Sequence, residues 1–471
     1  MSSPLTFLDT PRQDVPHRPI DQRLRDFREV DLSLDEQSIV RQASRCMDCG
    51  IPFCHGIGCP LGNRVPEFNS LLSRGRWKEA CENLHSTNNF PEFTGRICPA
   101  LCEAACTLNI NDQPTLIRHI EYQIVERAWR EGWIVPQPSA RRTGKSVAVV
   151  GSGPAALAGA QQLARAGHAV TIFEKDESIG GLLRFGIPDF KLDKSIIDRR
   201  LDQMRAEGVE FQTSVLVGDD VSFKYLRKSF DAVLLAIGCG QPRELDVPGR
   251  SLDNVLMALD YLGASNRVVA GSATRKPAVS AEGLSVAVIG GGDTGSDCVG
   301  TARRQGAREV YQLEILPEPP QNSNPQTPWP SYPRILRTST SHEEGCTRRW
   351  NVMTRRLVGK TRVQELHGVE VEWSQVDGRP SMREIPGSDF VLKVDLVLIA
   401  MGFVHPQHTG IVEQAEIALD ARGNIQTDAS FMTSQPGIFA AGDARRGASL
   451  VVHGIVDGRA AAAAIDAWLN S

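Results

Sequence analysis

The sequence predicts an α/β protein in three parts. An all-α, cysteine-rich module comes first, followed by two Rossmann-like domains of the disulfide-reductase type, the second inserted in the first. Three observations predict this. Eight of the 11 cysteines fall between Cys46 and Cys106. A strand, glycine-rich turn, helix and strand occur in KSVAVVGSGPAALAGAQQLARAGHAVTIFEK, which begins at Lys145, and again in LSVAVIGGGDTGSDCVGTARRQGAREVYQLE over 284–314. A further strand, QPGIFAAGDA, ends in Gly442-Asp443 near the C-terminus, as if an interrupted first domain resumed there.

The whole-chain numbers agree with a multidomain soluble protein. A chain of 471 residues suggests roughly two to four domains. Apolar residues make up 41% and charged residues 23%, with a net charge of -4, so no basic field points to nucleic acid or anionic lipid. No apolar run is long enough to predict a membrane span. The start, MSSPLTFLDTPRQ, lacks the apolar core of a secretory leader, which makes the cytoplasm the expected location.

The parts follow in order. Residues 1–30 are polar and proline-containing, an expected arm. Residues 31–133 form the helical module: DEQSIVRQASRC from Asp35, WKEACENLHSTN and TLIRHIEYQIVERAWR (115–130) have helical period. Cys98, Cys102 and Cys106 recur every four residues, which predicts one helical face. Residues 134–145 are a linker. Residues 146–250 and 402–471 are expected to form one dinucleotide domain, with buried strands in DAVLLAIGCG (231–240) and in the C-terminal QPGIFAAGDA. Residues 251–401 form the inserted one, ending on VDLVLIAMGF. The stretch 317–334, PEPPQNSNPQTPWPSYPR, holds too many prolines for a regular element and is expected to wrap a surface or edge a site.

The first turn, Gly151-x-Gly153-x-x-Ala156, lies between a strand and a helix. Its first glycine permits the tight turn, and its second lets backbone approach a pyrophosphate at the helix N-terminus. Glu174 ends the next strand, where an acid binds a ribose. Gly290-x-Gly292-x-x-Gly295, with Asp293 and Thr294 inside it and Glu314 ending its second strand, repeats the pattern. An acid at that place receives a ribose diol and repels a 2′-phosphate, which tilts the reading to NADH. Arg303 and Arg304 leave NADPH open, either as a phosphate contact or as a solvated basic face. Because the second unit is inserted in the first, the first is expected to hold FAD, with Gly442 and Asp443 against the flavin's ribityl or phosphate region. The GGLLRFGIP stretch, including Gly181 and Arg184, is expected beside the isoalloxazine. No cysteine falls between Gly180 and Gly238, so no redox-active disulfide is expected beside that flavin.

The cysteine pattern is Cys46-x2-Cys49-x4-Cys54-x4-Cys59-Pro60, then Cys98-x3-Cys102-x3-Cys106. Soft thiolates favour zinc or iron–sulfur centres. A single CxxC pair and a proline after a cysteine favour iron–sulfur. Seven thiolates are one short of two four-ligand centres. One site therefore takes a non-cysteine ligand, or the module holds one centre and spare thiols. Cys81, inside a helical pattern, reads as packing. A hydride donor gives electrons in pairs, a flavin can split them, and iron–sulfur centres take them singly.

CMDCGIPFCHGIGCP, NNFPEFTGRICPALCEAAC, GGLLRFGIPDFKLDK, GGGDTGSDC followed by LEILPEPP, then PWPSYPR and the HEE at 342–344 together resemble the small (beta) subunit of glutamate synthase over nearly the whole chain. The N-terminal module also resembles that of dihydropyrimidine dehydrogenases, although Cys98-x3-Cys102 is shorter than in those enzymes. The resemblance implies two [4Fe-4S] clusters: one held by Cys46, Cys49, Cys54 and Cys106, the other by Cys59, Cys98 and Cys102 with Glu121 in the fourth position. On its own residues, Glu121 reads equally as a surface acid on an amphipathic helix. The resemblance implies hydride transfer from NADPH or NADH to FAD, with no side-chain acid or base required. It also implies electron exit through the clusters to a large (alpha) subunit that makes L-glutamate from L-glutamine and 2-oxoglutarate. Family members with an arginine pair after the second NAD-domain strand look like NADPH users, whereas Leu313-Glu314-Ile315 resembles the NADH type. The alternative is a subunit serving another acceptor, ferredoxin or a pyrimidine reductase.

Overall fold

The structure, a computed structural model, describes residues 6–272, 279–322 and 324–471. The cysteine module is helical. Asp35 caps the helix Glu36–Ala43 by accepting the Ser38 N–H at 2.8 Å. The helices Val65–Ser73, Trp77–Thr87, Pro91–Ile97 and Ile117–Arg130 follow. Ile117, Ile120, Ile124 and Ala128 fall on one side of the last helix and are buried with Ile39, Phe68, Leu72 and Leu84. Cys81 lies in this apolar core.

The three late cysteines do not share one helix. Cys98 follows the end of Pro91–Ile97, and Ala100 takes a left-handed conformation (φ 63°). Only Leu101–Ala104 is α-helical, and Cys106 precedes the 3-10 turn Thr107–Ile110. Pro99 and the turn at Ala100 break the helix that a four-residue period predicted.

The two α/β domains each carry a five-stranded sheet. Strands β1 (Ser146–Val150), β2 (Ala169–Phe173), β3 (Val209–Gln212) and β4 (Ala232–Leu235) belong to the first, and β5 (Gln241–Pro242) leads out of it. Strands β6 (Val255–Met257), β7 (Ser285–Ile289), β8 (Glu309–Leu313) and β9 (Thr347–Arg349) belong to the second. An antiparallel sheet follows in β10 (Val352–Gly359), β11 (Val363–Val376), β12 (Arg379–Glu384) and β13 (Phe390–Lys393), with the long β11 pairing all three others. The chain returns through β14 (Leu396–Ile399), β15 (Phe403–His405) and β16 (Ile438–Ala440). The sheet orders are β16-β4-β1-β2-β3 and β6-β14-β7-β8-β9, all parallel. The last strand of the chain thus completes the first sheet, and β5 pairs with β15 where the chain crosses between domains. This is the interrupted-domain architecture that the second glycine turn predicted. The antiparallel sheet β10–β13 was not foreseen, because its strands alternate weakly and carry charged residues on their exposed sides.

The module is fastened to the first α/β domain. Phe90 and Phe93 share an apolar core with Val147, Val149 and Leu163. Arg200, from the helix Lys194–Ala206, forks onto Glu92 of the module at 2.6 and 2.8 Å, and both side chains are sealed from solvent. Among the described residues no helix is long and apolar enough to cross a membrane.

Candidate functional site

One continuous cavity of about 2000 Å³ runs between the two α/β domains and reaches the cysteine module. Gly151, Gly153, Glu174, Gly181, Gly442 and Asp443 line it from one side; Gly292, Asp293, Thr294 and Glu314 line it from the other. Cys98, Pro99 and Ala100 close its third wall.

The first turn is built for a close approach. Gly151 has φ +97°, and a Cβ there would sit 2.5 Å from the Ala236 carbonyl. Gly153 caps the helix Pro154–Ala166, whose first N–H groups therefore face the cavity. Ala156, in the first turn of that helix, is buried on its inner face and does not reach the cavity. Glu174 accepts the Ser152 hydroxyl at 2.5 Å and the Asp176 N–H at 2.8 Å; burial raises its carboxyl pKa despite both bonds. Asp443 accepts the Ser449 hydroxyl at 2.6 Å, and burial raises its pKa as well. Arg184 is a correction. Its guanidinium donates to the Ile179 carbonyl at 2.6 Å and pairs with Asp198, so it turns away from the cavity that its neighbours Leu182, Leu183 and Phe185 line.

The second turn repeats the first. Gly290 has φ +126°, and a Cβ would meet the Ala400 carbonyl at 2.2 Å. Gly295 starts the buried face of the helix Asp293–Arg304. Glu314 places its carboxylate over the turn, accepting the Gly291 N–H at 2.7 Å and the Leu316 N–H at 3.1 Å. Arg303 and Arg304 are the second correction. They end the helix, about 15 Å from its start. Arg303 donates to the Glu344 and Ala307 carbonyls, and Arg304 forms a fully buried pair with Glu344 beneath the Phe190 ring. Neither lines the cavity, so neither the phosphate contact nor the solvated face describes them. The arginines that do line it near Glu314 are Arg334, Arg337 and Arg348, scattered in sequence and without a local pattern to announce them. Sequence reasoning also missed Lys191 and Asp297, which meet at 2.5 Å across the domain boundary on the cavity wall.

The cysteines gather in two sets, and none of them is joined in a disulfide among the described residues. Cys46, Cys49, Cys54 and Cys106 together line a small separate pocket with Phe53 and Leu108. Burial pushes the Cys46 thiol up to about 12, and the neighbouring Cys106 and Cys49 add to the shift. In the other set, burial and the nearby Glu121 carboxylate push Cys59 up to about 12; Cys98 rises to about 11, and Cys102 well above the ordinary range. Glu121 is 5% exposed and holds hydrogen bonds from Asn63 Nδ2 at 2.9 Å and from the Thr94 hydroxyl at 3.4 Å. Burial lifts its pKa to about 7. It is therefore no surface acid. Among the described residues no three metal-binding side chains close on one point as around a single ion. Buried thiols crowded together resist ionising alone, and a cationic centre would supply the missing compensation. The donor sets suit polynuclear centres in that respect.

Comparison with known proteins agrees with this geometry. Residues 145–458 match the family described as pyridine nucleotide-disulphide oxidoreductase, and residues 23–133 match dihydropyrimidine dehydrogenase domain II, 4Fe-4S cluster. The chain is 52% identical over 475 residues to a Mycobacterium tuberculosis protein named glutamate synthase [NADPH] small chain, covering 100% of this chain and 96% of that one. It is 44% identical to a Schizosaccharomyces pombe protein named glutamate synthase [NADH], covering 98% of this chain and 22% of that longer one. Among solved structures it is similar to Mycobacterium tuberculosis FprA in complex with NADPH, with a TM-score of 0.56 and 20% identity over 70% of this chain and 85% of that one; this likeness is one of fold.

Proposed function

The chain belongs to the glutamate synthase small-chain family, and from that premise we propose that it is the electron-input subunit of a glutamate synthase. It oxidises NADPH or NADH and serves a large subunit that makes L-glutamate from L-glutamine and 2-oxoglutarate. The observation that carries this reading is the single cavity joining both glycine turns to the Cys98 loop.

Gly151, Gly153, Glu174, Gly181, Gly442 and Asp443, within 146–250 and 402–471, would hold FAD. Gly290, Gly292, Asp293, Thr294, Gly295 and Glu314, within 251–401, would hold the nicotinamide dinucleotide. Cys46, Cys49, Cys54 and Cys106 would hold one [4Fe-4S] cluster, and Cys59, Cys98, Cys102 and Glu121 the other. Flavin, when bound, takes a hydride as an electron pair and releases single electrons, the currency of iron–sulfur centres. The protein's share is positional. The glycine turns bring backbone N–H groups to the phosphates, the acids Glu174 and Glu314 receive ribose hydroxyls, and the domain walls exclude water. The Glu121 set borders the cavity through Cys98, which favours it as the inner of the two, while the Cys46 set faces its own outer pocket.

The test is anaerobic purification with iron, sulfide and flavin analysis, followed by titration with NADH and NADPH. The reading expects about eight irons and one flavin per chain under two four-iron centres. It also expects glutamate formation only after the large subunit is added. A colourless, iron-free protein would overturn it.

A further inference from the structure

The segment 317–338 has no part in the roles assigned above. Its base is closed: the Leu336 N–H donates to the Pro320 carbonyl at 2.8 Å, and the Arg334 N–H to the Thr327 hydroxyl at 3.1 Å. Its described residues form a long loop closed at its base, and seven prolines stiffen it.

Both feet of the loop stand on the second glycine turn. At its start, Glu314 accepts both the Gly291 N–H and the Leu316 N–H. At its end, the Ser339 hydroxyl meets that of Ser296 at 2.6 Å, in the helix that follows the turn. His342, which caps with Ser339, meets Gln312 Oε1 at 2.8 Å, and the Gln312 amide donates to the Gly290 carbonyl at 2.9 Å. The tip stands on the cysteine module. Trp329 Nε1–H donates to the Cys106 carbonyl at 3.3 Å, and its ring packs on Phe53, next to Cys54, with centroids 4.7 Å apart. The Tyr332 hydroxyl donates to the Pro99 carbonyl at 3.3 Å, one residue beyond Cys98. Trp329 thus touches the first cysteine set at Cys106, and Tyr332 touches the residue that follows Cys98 of the second.

We infer that Trp329 and Tyr332 are positioning residues through which this loop couples dinucleotide binding at the second turn to the redox state of the two cysteine-held centres. The inference rests on the reading of Glu314 as ribose acceptor and of the cysteine sets as cluster ligands. The link at the foot is a shared acceptor: a ribose diol donating to Glu314 competes with the Leu316 N–H for the same carboxylate. The link at the tip is a donor on the backbone of a ligand residue, where a small displacement changes the field at the thiolates. Such coupling is reciprocal, so dinucleotide occupancy shifts cluster potential by the same free energy that cluster reduction shifts dinucleotide affinity.

The test is a potentiometric titration of the full-chain holoprotein, followed by electron paramagnetic resonance, with and without saturating NAD+ or NADP+, whichever the nicotinamide titration shows the protein to bind. Iron and flavin analysis comes first; protein without iron refutes the cluster reading itself and is thereby distinguished from a failure of coupling. The expected result is a midpoint shift equivalent to an about fivefold change in dinucleotide affinity, or about 40 mV for one electron. Trp329→Phe, which removes the indole donor, should lose at least half of that shift. If that variant fails to assemble its clusters, Tyr332→Phe, which removes one oxygen atom, decides in the same assay. No shift in the unaltered protein, or a full shift in the assembled variant, overturns the coupling.

Discussion

Replacing Arg200 by methionine should destabilise the junction between the cysteine module and the first α/β domain by about 3–5 kcal/mol, the usual cost of stranding one partner of a buried ion pair. The pair qualifies for the upper part of that range. Arg200 is 1% exposed and Glu92 is fully buried, and the two share two parallel hydrogen bonds at 2.6 and 2.8 Å. The Arg200 guanidinium also lies over the Trp129 ring at 5.0 Å. With Arg200 gone, the Glu92 carboxylate keeps no cationic partner at close range among the described residues and must either stay charged in an apolar wall or take up a proton. Replacing both, as Arg200→Met with Glu92→Leu, removes the stranded charge and should recover most of the loss, because well-packed apolar groups often match a buried pair. The assay is a double-mutant cycle in urea, followed by loss of the module's resistance to limited proteolysis. A coupling energy below about 1 kcal/mol, typical of solvent-exposed pairs, would refute the argument from burial.

Four further outcomes follow from the same structure. Glu121→Ala should lower bound iron by about half while leaving flavin content intact, measured by metal analysis and visible absorbance; unchanged iron would remove Glu121 from the ligand set. Glu314→Ala should weaken NADH binding about tenfold or more, the scale of a charge-assisted hydrogen bond, and NADPH binding less, since no charge then opposes a 2′-phosphate; equal losses in isothermal titration would deny Glu314 a role in discrimination. Gly151→Ala should yield protein depleted of flavin, because its methyl group would meet the Ala236 carbonyl at 2.5 Å and the φ of +97° disfavours any side chain; normal flavin content would show that the turn can yield. Burial depresses His85 and His342 to about 4, so the unfolded chain binds protons below about 6.5 that the folded chain refuses until about 4. Stability from these residues is full above pH 6.5 and drains as pH falls to 4; His85→Gln with His342→Gln should flatten that part of the urea-midpoint profile, and an unaltered slope would count against it.

The sequence by itself determined the architecture and the residue types of the site. The two glycine turns announce themselves because strand, turn and helix lie consecutively in the chain and each glycine answers a local steric demand, as Gly151 and Gly290 do. The seven cysteines were legible for a similar reason: thiol chemistry is carried by residue type and density. Side-chain direction was not legible. Arg303 and Arg304 follow the second turn closely in sequence, yet Glu344 draws Arg304 into the interior at the far end of the helix. Arg184 sits among cavity-lining neighbours and faces Asp198 instead. Arg304 and Arg184 were each captured by an acid outside their own helix, and Arg303 by backbone carbonyls, partners that only folding brings together. The same holds for Glu121, whose helical period fitted surface and interior equally. The cysteine module's own core, with Asn63 and Thr94 set against its carboxylate, decided that it is buried. The proline-rich stretch read as a wrapping loop, but that its tip rests on Cys106 and Pro99 is a contact across more than 200 residues, which tertiary packing alone could make.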